Sequence, residues 1–119
     1  MTLDYRTRVL SSVRRALGGE ITPEMRAVTV ECLPESVRVH VYVDGPVSEL
    51  ACEDFDDGAV AQLLADLSCD PEGKPSVDRE FIRIDAPVPL PARGEIVFAR
   101  AGERFVSPEC QSALERPVA

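Results

Sequence analysis

The pattern that most restricts the fold of this chain is a strict alternation of side chains from Val37 to Val43. Valine occupies every second position, whereas Arg38, His40 and Tyr42 occupy the positions between. Because successive side chains of a strand point to opposite faces of a sheet, the pattern predicts a strand with one apolar face. The β-branched run 27–32 precedes it across a short turn that contains proline, so the two segments predict a β-hairpin.

Two segments show the three- and four-residue spacing of apolar residues that is typical of amphipathic helices. The first covers residues 3–17 and ends at Gly18-Gly19. The second runs from about Ser48, a suitable N-cap, to about residue 67. Gly58 costs its middle about 1 kcal/mol relative to alanine, which allows a break there. The side chains expected on the buried side of this helix are Val60, Leu63, Leu64 and Leu67, extended towards the N-terminus by Leu50 and Phe55.

Residues 77–85 and 95–100 predict two more strands, and the three prolines within residues 86–91 predict an extended connection. The element order is therefore α-β-β-α-β-β. We expect an α+β fold in which an antiparallel four-stranded sheet carries its helices on one face. Residues 1–100 then form a single domain, and residues 101–119 form a C-terminal extension that is irregular or holds a short helix.

The negative charge of the chain is concentrated in its middle third. The net charge of the whole chain is −8, and residues 44–85 hold twelve acidic and three basic side chains, a net charge of −9. Nucleic acids and anionic membranes both attract basic surfaces, so we expect neither as a direct partner. The N-terminus lacks the uninterrupted apolar run of a signal peptide, which favours a cytoplasmic location.

No sequence motif for nucleotide binding, zinc-dependent proteolysis or serine hydrolysis occurs in the chain. The four cysteines lack the spacing of zinc ligands, and we expect reduced thiols. The acidic run 53–58 fails the EF-hand pattern because Phe55 and Leu64 would fall on ligand positions. We therefore expect no metal, no cofactor and no enzymatic activity, and His40 is expected to be a strand side chain on one face.

Five short segments occur in a characteristic order along residues 8–100. They are Thr22-Pro23-Glu24-Met25-Arg26, Tyr42-Val43-Asp44-Gly45, Ala65-Asp66-Leu67, Phe81-Ile82-Arg83-Ile84-Asp85-Ala86-Pro87 and Gly94-Glu95-Ile96-Val97-Phe98-Ala99-Arg100. This series resembles a family of small bacterial immunity proteins from polymorphic toxin systems, which include contact-dependent growth inhibition. Phe98 stands where that family usually has tyrosine. The resemblance implies a cytosolic α+β protein that binds and neutralises a cognate toxin domain.

Many toxins of such systems are nucleases, whose grooves carry Lys and Arg for phosphates. An acidic surface is complementary to such a groove and accelerates the encounter of the two proteins. We therefore predict a partner-binding surface that consists of Tyr42, Asp44, Glu49, Glu53, Asp54, Asp56 and Asp57. Tyr42 or Phe55 can serve as an aromatic anchor, although the helix pattern favours Phe55 as a core residue. The alternative is that the acids form an ordinary solvated helix face.

Two other classes of function stay open at this point. One is a small acidic enzyme that uses carboxylates with a divalent metal, and the other is a regulatory or structural subunit, including a homo-oligomer. Arg83 and Asp85 lie two apart on one predicted strand and are expected to share a face. Their pairing would be structural, part of an interface or, least favoured, catalytic.

Overall fold

The computed structural model describes residues 3–68 and 75–106, which form an α+β fold around a four-stranded mixed sheet. The elements are α1 (Leu3–Ala16), β1 (Met25–Cys32), β2 (Ser36–Val43), α2 (Glu49–Phe55), a π-helical turn (Asp56–Val60), α3 (Ala61–Leu67), β3 (Ser76–Arg83), β4 (Leu90–Pro91), β5 (Glu95–Ala99) and β6 (Phe105–Val106). Two helices and the four long strands fall close to their predicted bounds. The short strands β4 and β6 were not predicted.

The expected antiparallel sheet is wrong at one pair of strands. The strand order is β3-β2-β1-β5, and β1 runs antiparallel to both of its neighbours. The strand β3 instead pairs parallel with β2, from Ser36 opposite Ser76 to Val43 opposite Arg83. The physical reason is the helix between these two strands, because it carries the chain back to the end of the sheet where β2 began. The hairpin of β1 and β2 is confirmed.

The main core lies between the helices and one face of the sheet. Every alternating valine of β2 is buried there, which confirms the apolar face predicted from the sequence. The buried partners from the helices and from the turn after α1 are Tyr5, Val9, Val13, Ala16, Leu17, Phe55, Ala59, Leu63 and Leu67. Phe55 is therefore a core residue, and its ring packs edge-on against that of Phe81 with 5.3 Å between centroids.

The second predicted helix is continuous, but its hydrogen bonding widens to a π turn around Gly58. Ser48 is its N-cap, because the backbone N–H of Ala51 donates to the Ser48 hydroxyl at 3.0 Å. A π turn shifts the rows of side chains that follow it, so Ala59, Leu63 and Leu67 are buried. Leu64, which was expected on the same buried side, is 39% exposed.

The opposite face of the sheet holds a second, smaller core. It consists of Ala27, Tyr42, Ile84 and Leu90, with Ile82 and Phe105 packed against it. The short parallel pair of β4 and β6 lies beside this cluster and contributes Leu90 and Phe105. Residues 101–106 thus return to the domain, whereas the helix considered for the C-terminal extension falls outside the described residues.

Candidate partner-binding surface

Four of the predicted acids lie together on the exposed side of α2 and the π turn. Glu49 and Glu53 are one helical turn apart, and Asp57 follows after a further four residues. Asp54 lies on the neighbouring row, and all four side chains are exposed. The remaining side of α2 is anchored by Phe55, so these carboxylates project away from the core. We call Glu49, Glu53, Asp54 and Asp57 the acidic face.

Asp56 is placed differently, because its carboxylate is already paired within the chain. The Arg79 guanidinium donates two hydrogen bonds to it, each 2.7 Å long. These bonds hold the pKa of Asp56 below its ordinary value. Since Arg79 neutralises this charge, Asp56 joins the helix to β3 and adds little to the field of the acidic face.

Asp44 also lies outside the acidic face, at the end of β2. It is half-buried, and its carboxylate accepts a hydrogen bond from the Ala86 backbone N–H at 3.3 Å. The Arg100 guanidinium lies 3.4 Å from its other oxygen. In the same loop region, Arg83 and Asp85 form the expected pair, with two 3.0 Å hydrogen bonds. The turn after β2 is held against the chain that follows β3 by the Asp44–Ala86 hydrogen bond and by the Gly45 backbone N–H, which donates to the Asp85 carboxylate at 2.7 Å.

Tyr42, which was predicted as part of the partner-binding surface and as one of two possible aromatic anchors, does not lie on the surface. Its side chain is completely buried in the smaller core between Ala27 and Leu90. Burial also raises the pKa of its phenol. The alternation of β2 correctly assigned Tyr42 to the face opposite the valines, but the segments that cover this face come from residues 84–105, far along the chain.

An apolar groove beside the acidic face was missed by sequence reasoning. It has a volume of about 430 Å³ and lies between the α1–β1 connection and the first turns of α2. Met25, Val43, Phe55 and Phe81 line it, and the rim includes Leu50, which is 66% exposed. Leu50 was expected to be buried beside Phe55. The signal against this was their spacing, because residues five apart on an α-helix point about 140° from each other.

The acidic face and the groove both lie in a segment with a recognisable sequence profile. Residues 6–102 match the profile of the MafI2 immunity protein family. The chain belongs to the MafI2 immunity protein family. The resemblance to toxin immunity proteins is thereby confirmed. A comparison with curated proteins gave no match.

Membership of the MafI2 immunity protein family supports a toxin-neutralising function and implies a toxin protein as partner. The matched segment contains the four-stranded sheet, α2, α3 and most of α1, and it ends in the turn before β6. The acidic face and the residues that line the apolar groove therefore lie within the segment that matches the family. Immunity proteins are in general not enzymes.

For this MafI2-family chain, the described residues were also compared with the requirements of a membrane span, a metal site and a reactive thiol. No helix in residues 3–68 or 75–106 is both long and apolar enough to cross a bilayer. Over the same ranges, no three His, Cys, Asp or Glu side chains are grouped so that they could hold a metal ion. Cys32 and Cys52 are half-buried free thiols, and Cys69 and Cys110 lie outside the described residues. His40 lies in β2, with its Nε2 atom 2.7 Å from the Glu31 carboxylate.

Proposed function

We propose that this protein neutralises a cognate nuclease toxin in the bacterial cytoplasm by binding it through the acidic face, without catalytic activity of its own. One observation carries the proposal. In the part of the chain that the structure describes, no ion pair joins Glu49, Glu53, Asp54 or Asp57 to a basic side chain. Among the described residues, these four charges are thus not neutralised by a basic side chain, in contrast to that of Asp56, and this supports a role in attracting a basic partner.

A nuclease is the toxin class whose surface best complements this arrangement. Its substrate groove carries Lys and Arg side chains that neutralise phosphates. Carboxylates spaced along a helix can take the place of those phosphates and so exclude the nucleic acid. Opposite charge also accelerates encounter, to roughly 10⁸–10⁹ M⁻¹s⁻¹ at low salt. Fast capture suits a protein that must reach the toxin before its substrate does.

Co-expression with the toxin domain encoded beside the gene tests the proposal. We expect cells that make both proteins to grow, and cells that make the toxin alone to lose nucleic acid integrity. The double variant Glu53→Lys/Asp54→Lys should lose protection and weaken binding to the purified toxin domain. The matched control Glu35→Lys/Asp78→Lys changes the net charge equally at exposed positions away from α2, and it should protect like the parent protein.

Three results would count against the proposal. If the parent protein neither protects cells nor binds the toxin domain, the immunity function is wrong for this pair. Should both double variants protect equally well, the acidic face is the wrong surface. A toxin domain that degrades neither DNA nor RNA would refute the assignment to nucleases.

A further inference from the structure

We propose that the apolar groove beside α2 receives an apolar side chain of the toxin that is flanked by Lys or Arg residues. This inference rests on the proposed function and specifies how the partner is held once it has been attracted. The acidic face supplies the long-range field, whereas the groove supplies a desolvated contact next to it. Interfaces commonly derive most of their affinity from a few such buried anchors.

The floor of the groove is well suited to an apolar side chain. Met25, Val43 and Phe55 are buried core residues, and the ring of Phe81 is fixed edge-on against that of Phe55. These side chains belong to strands and to α2, so the floor is preformed. A volume of about 430 Å³ falls within the range of roughly 300–1,000 Å³ that is usual for pockets that bind small ligands.

The rim of the groove presents large apolar side chains to solvent. Leu50 is 66% exposed and Val47 is 38% exposed, although both border the same concave surface. Single exposed leucines are common on soluble proteins, but here the leucine extends an apolar surface that continues into the core. Covering Leu50 and Val47 with a partner side chain would remove that surface from water.

The charge of the rim identifies the chemistry of the occupant. Glu20, Glu24 and Asp54 line the groove, and no Lys or Arg among the described residues does so. The backbone N–H of Glu24 and the Thr22 hydroxyl hold the pKa of Glu24 below its ordinary value, so this carboxylate stays ionised. A segment that places Lys or Arg beside an apolar side chain complements both the acidic side chains of the rim and the apolar side chains of the floor.

The same charge argues against a second copy of this chain as the occupant. Two such rims brought together would place carboxylates of both copies in one interface, and like charges in contact disfavour binding. The excess of twelve acids over three bases in residues 44–85 adds to this repulsion. A basic partner is therefore favoured over self-association.

Binding of the purified toxin domain to rim variants tests this inference. Leu50→Ser removes the more exposed of the two apolar rim side chains, and Ala51→Tyr fills the groove, where Ala51 is one of the lining residues. We expect each to weaken affinity at least about 10-fold, mainly through faster dissociation. The control Leu64→Ser alters another exposed leucine of the same helical segment, outside the groove, and should bind within about threefold of the parent.

Folding is checked by the urea midpoint of each variant, which should stay close to that of the parent for Leu50→Ser because Leu50 is exposed. Hydrogen exchange provides a second measurement, and toxin binding should protect backbone amides in residues 19–25 and 47–51. If Glu53→Lys/Asp54→Lys loses affinity while the Leu50 and Ala51 variants bind like the parent, the groove inference fails and the proposed function survives. If light scattering shows a dimer that Leu50→Ser dissociates, the occupant is a second copy and the inference is wrong.

Discussion

Asp56 in the π turn and Arg79 in the edge strand β3 form a bidentate ion pair that joins the helical layer to the sheet. The guanidinium carbon of Arg79 also lies 5.5 Å from the centroid of the Phe81 ring. That ring in turn packs against Phe55 of α2. The pair thus fixes α2 relative to the floor of the groove. Asp56 therefore stabilises the fold, whereas the four carboxylates of the acidic face are exposed to solvent.

The first prediction concerns this pair. Asp56→Asn should lower the free energy of unfolding by only about 0.5–1 kcal/mol, because the Asp56 side chain is 41% exposed and solvent screens the attraction. Urea denaturation measures the change. The same variant should leave the association rate with the toxin close to that of the parent, whereas Asp54→Asn should lower it. Equal losses for the two variants would show that Asp56 contributes to the field that attracts the toxin.

The buried pair of Arg26 and Glu103 should matter far more for stability. Their side chains are 2% and 7% exposed, with two hydrogen bonds of 2.5 and 2.8 Å between them. Glu103→Met leaves the buried Arg26 charge without its carboxylate, so we expect a loss of about 3 kcal/mol in unfolding free energy. The double variant Arg26→Met/Glu103→Met should be more stable than Glu103→Met, since no charge is left buried and unpaired. A double variant that is less stable than the single one would contradict this account.

The pH dependence of stability follows from the same contacts. Hydrogen bonds from Arg79 and Arg26 hold the pKa values of Asp56 and Glu103 below their ordinary values. A carboxyl whose pKa is lower in the folded state stabilises the fold above its unfolded pKa of about 4. That contribution is lost as the pH falls from about 4 through the lower folded values. Urea unfolding at a series of pH values should show the decline, and Glu103→Gln should flatten it; an unchanged slope would argue against Glu103 as a source.

Glycine at position 94 is required for a geometric reason that Gly102 does not share. Both residues have φ in the left-handed region, at 74° and 84°. A Cβ atom at Gly94 would collide with the backbone carbonyl of Val30, whereas one at Gly102 would meet no atom within 4 Å. Gly102→Ala should therefore cost only the conformational strain of about 1–2 kcal/mol. Gly94→Ala should cost clearly more, because β1 must shift, and thermal unfolding of the two variants compares them directly.

Ionic strength should separate the two parts of the binding surface. If the acidic face attracts the toxin over distance, as proposed, raising NaCl from about 0.05 to 0.5 M should slow toxin association strongly. If the groove holds the toxin by direct contact, as proposed, Leu50→Ser should speed dissociation without changing how the association rate depends on salt. Stopped-flow measurements give both rates. An association rate that is insensitive to salt would show that the acidic face does not attract the toxin electrostatically.

The sequence predicted best what depends on neighbouring residues. The alternation of Val37–Val43 correctly assigned both faces of β2, and Ser48 was correctly identified as a helix cap. Gly58 marked the place where the helix changes to a π turn. In each of these cases, residues within a few positions of one another decide the backbone geometry.

The predictions failed where a distant segment decides the outcome. Burial of Tyr42 depends on Leu90 and Ile84, and no pattern within β2 contains that information. The parallel pairing of β3 follows from the path of the intervening helix, not from the residues of the strand itself. Asp56 was indistinguishable from its acidic neighbours until Arg79, 23 residues later, was placed beside it.

The Arg26–Glu103 contact joins residues 77 positions apart. The strand β1 likewise lies in the middle of the sheet, with β5 as one of its neighbours. During synthesis, the central strand β1 is thus made early, whereas its neighbour β5 is made late. Pairing between segments so far apart along the chain is slow. A molecule that emerges as far as β3 still has an open strand edge and an unmatched internal charge. The fold is therefore expected to be complete only once synthesis has passed residue 103, because β5 and the carboxylate partner of Arg26 are both made late.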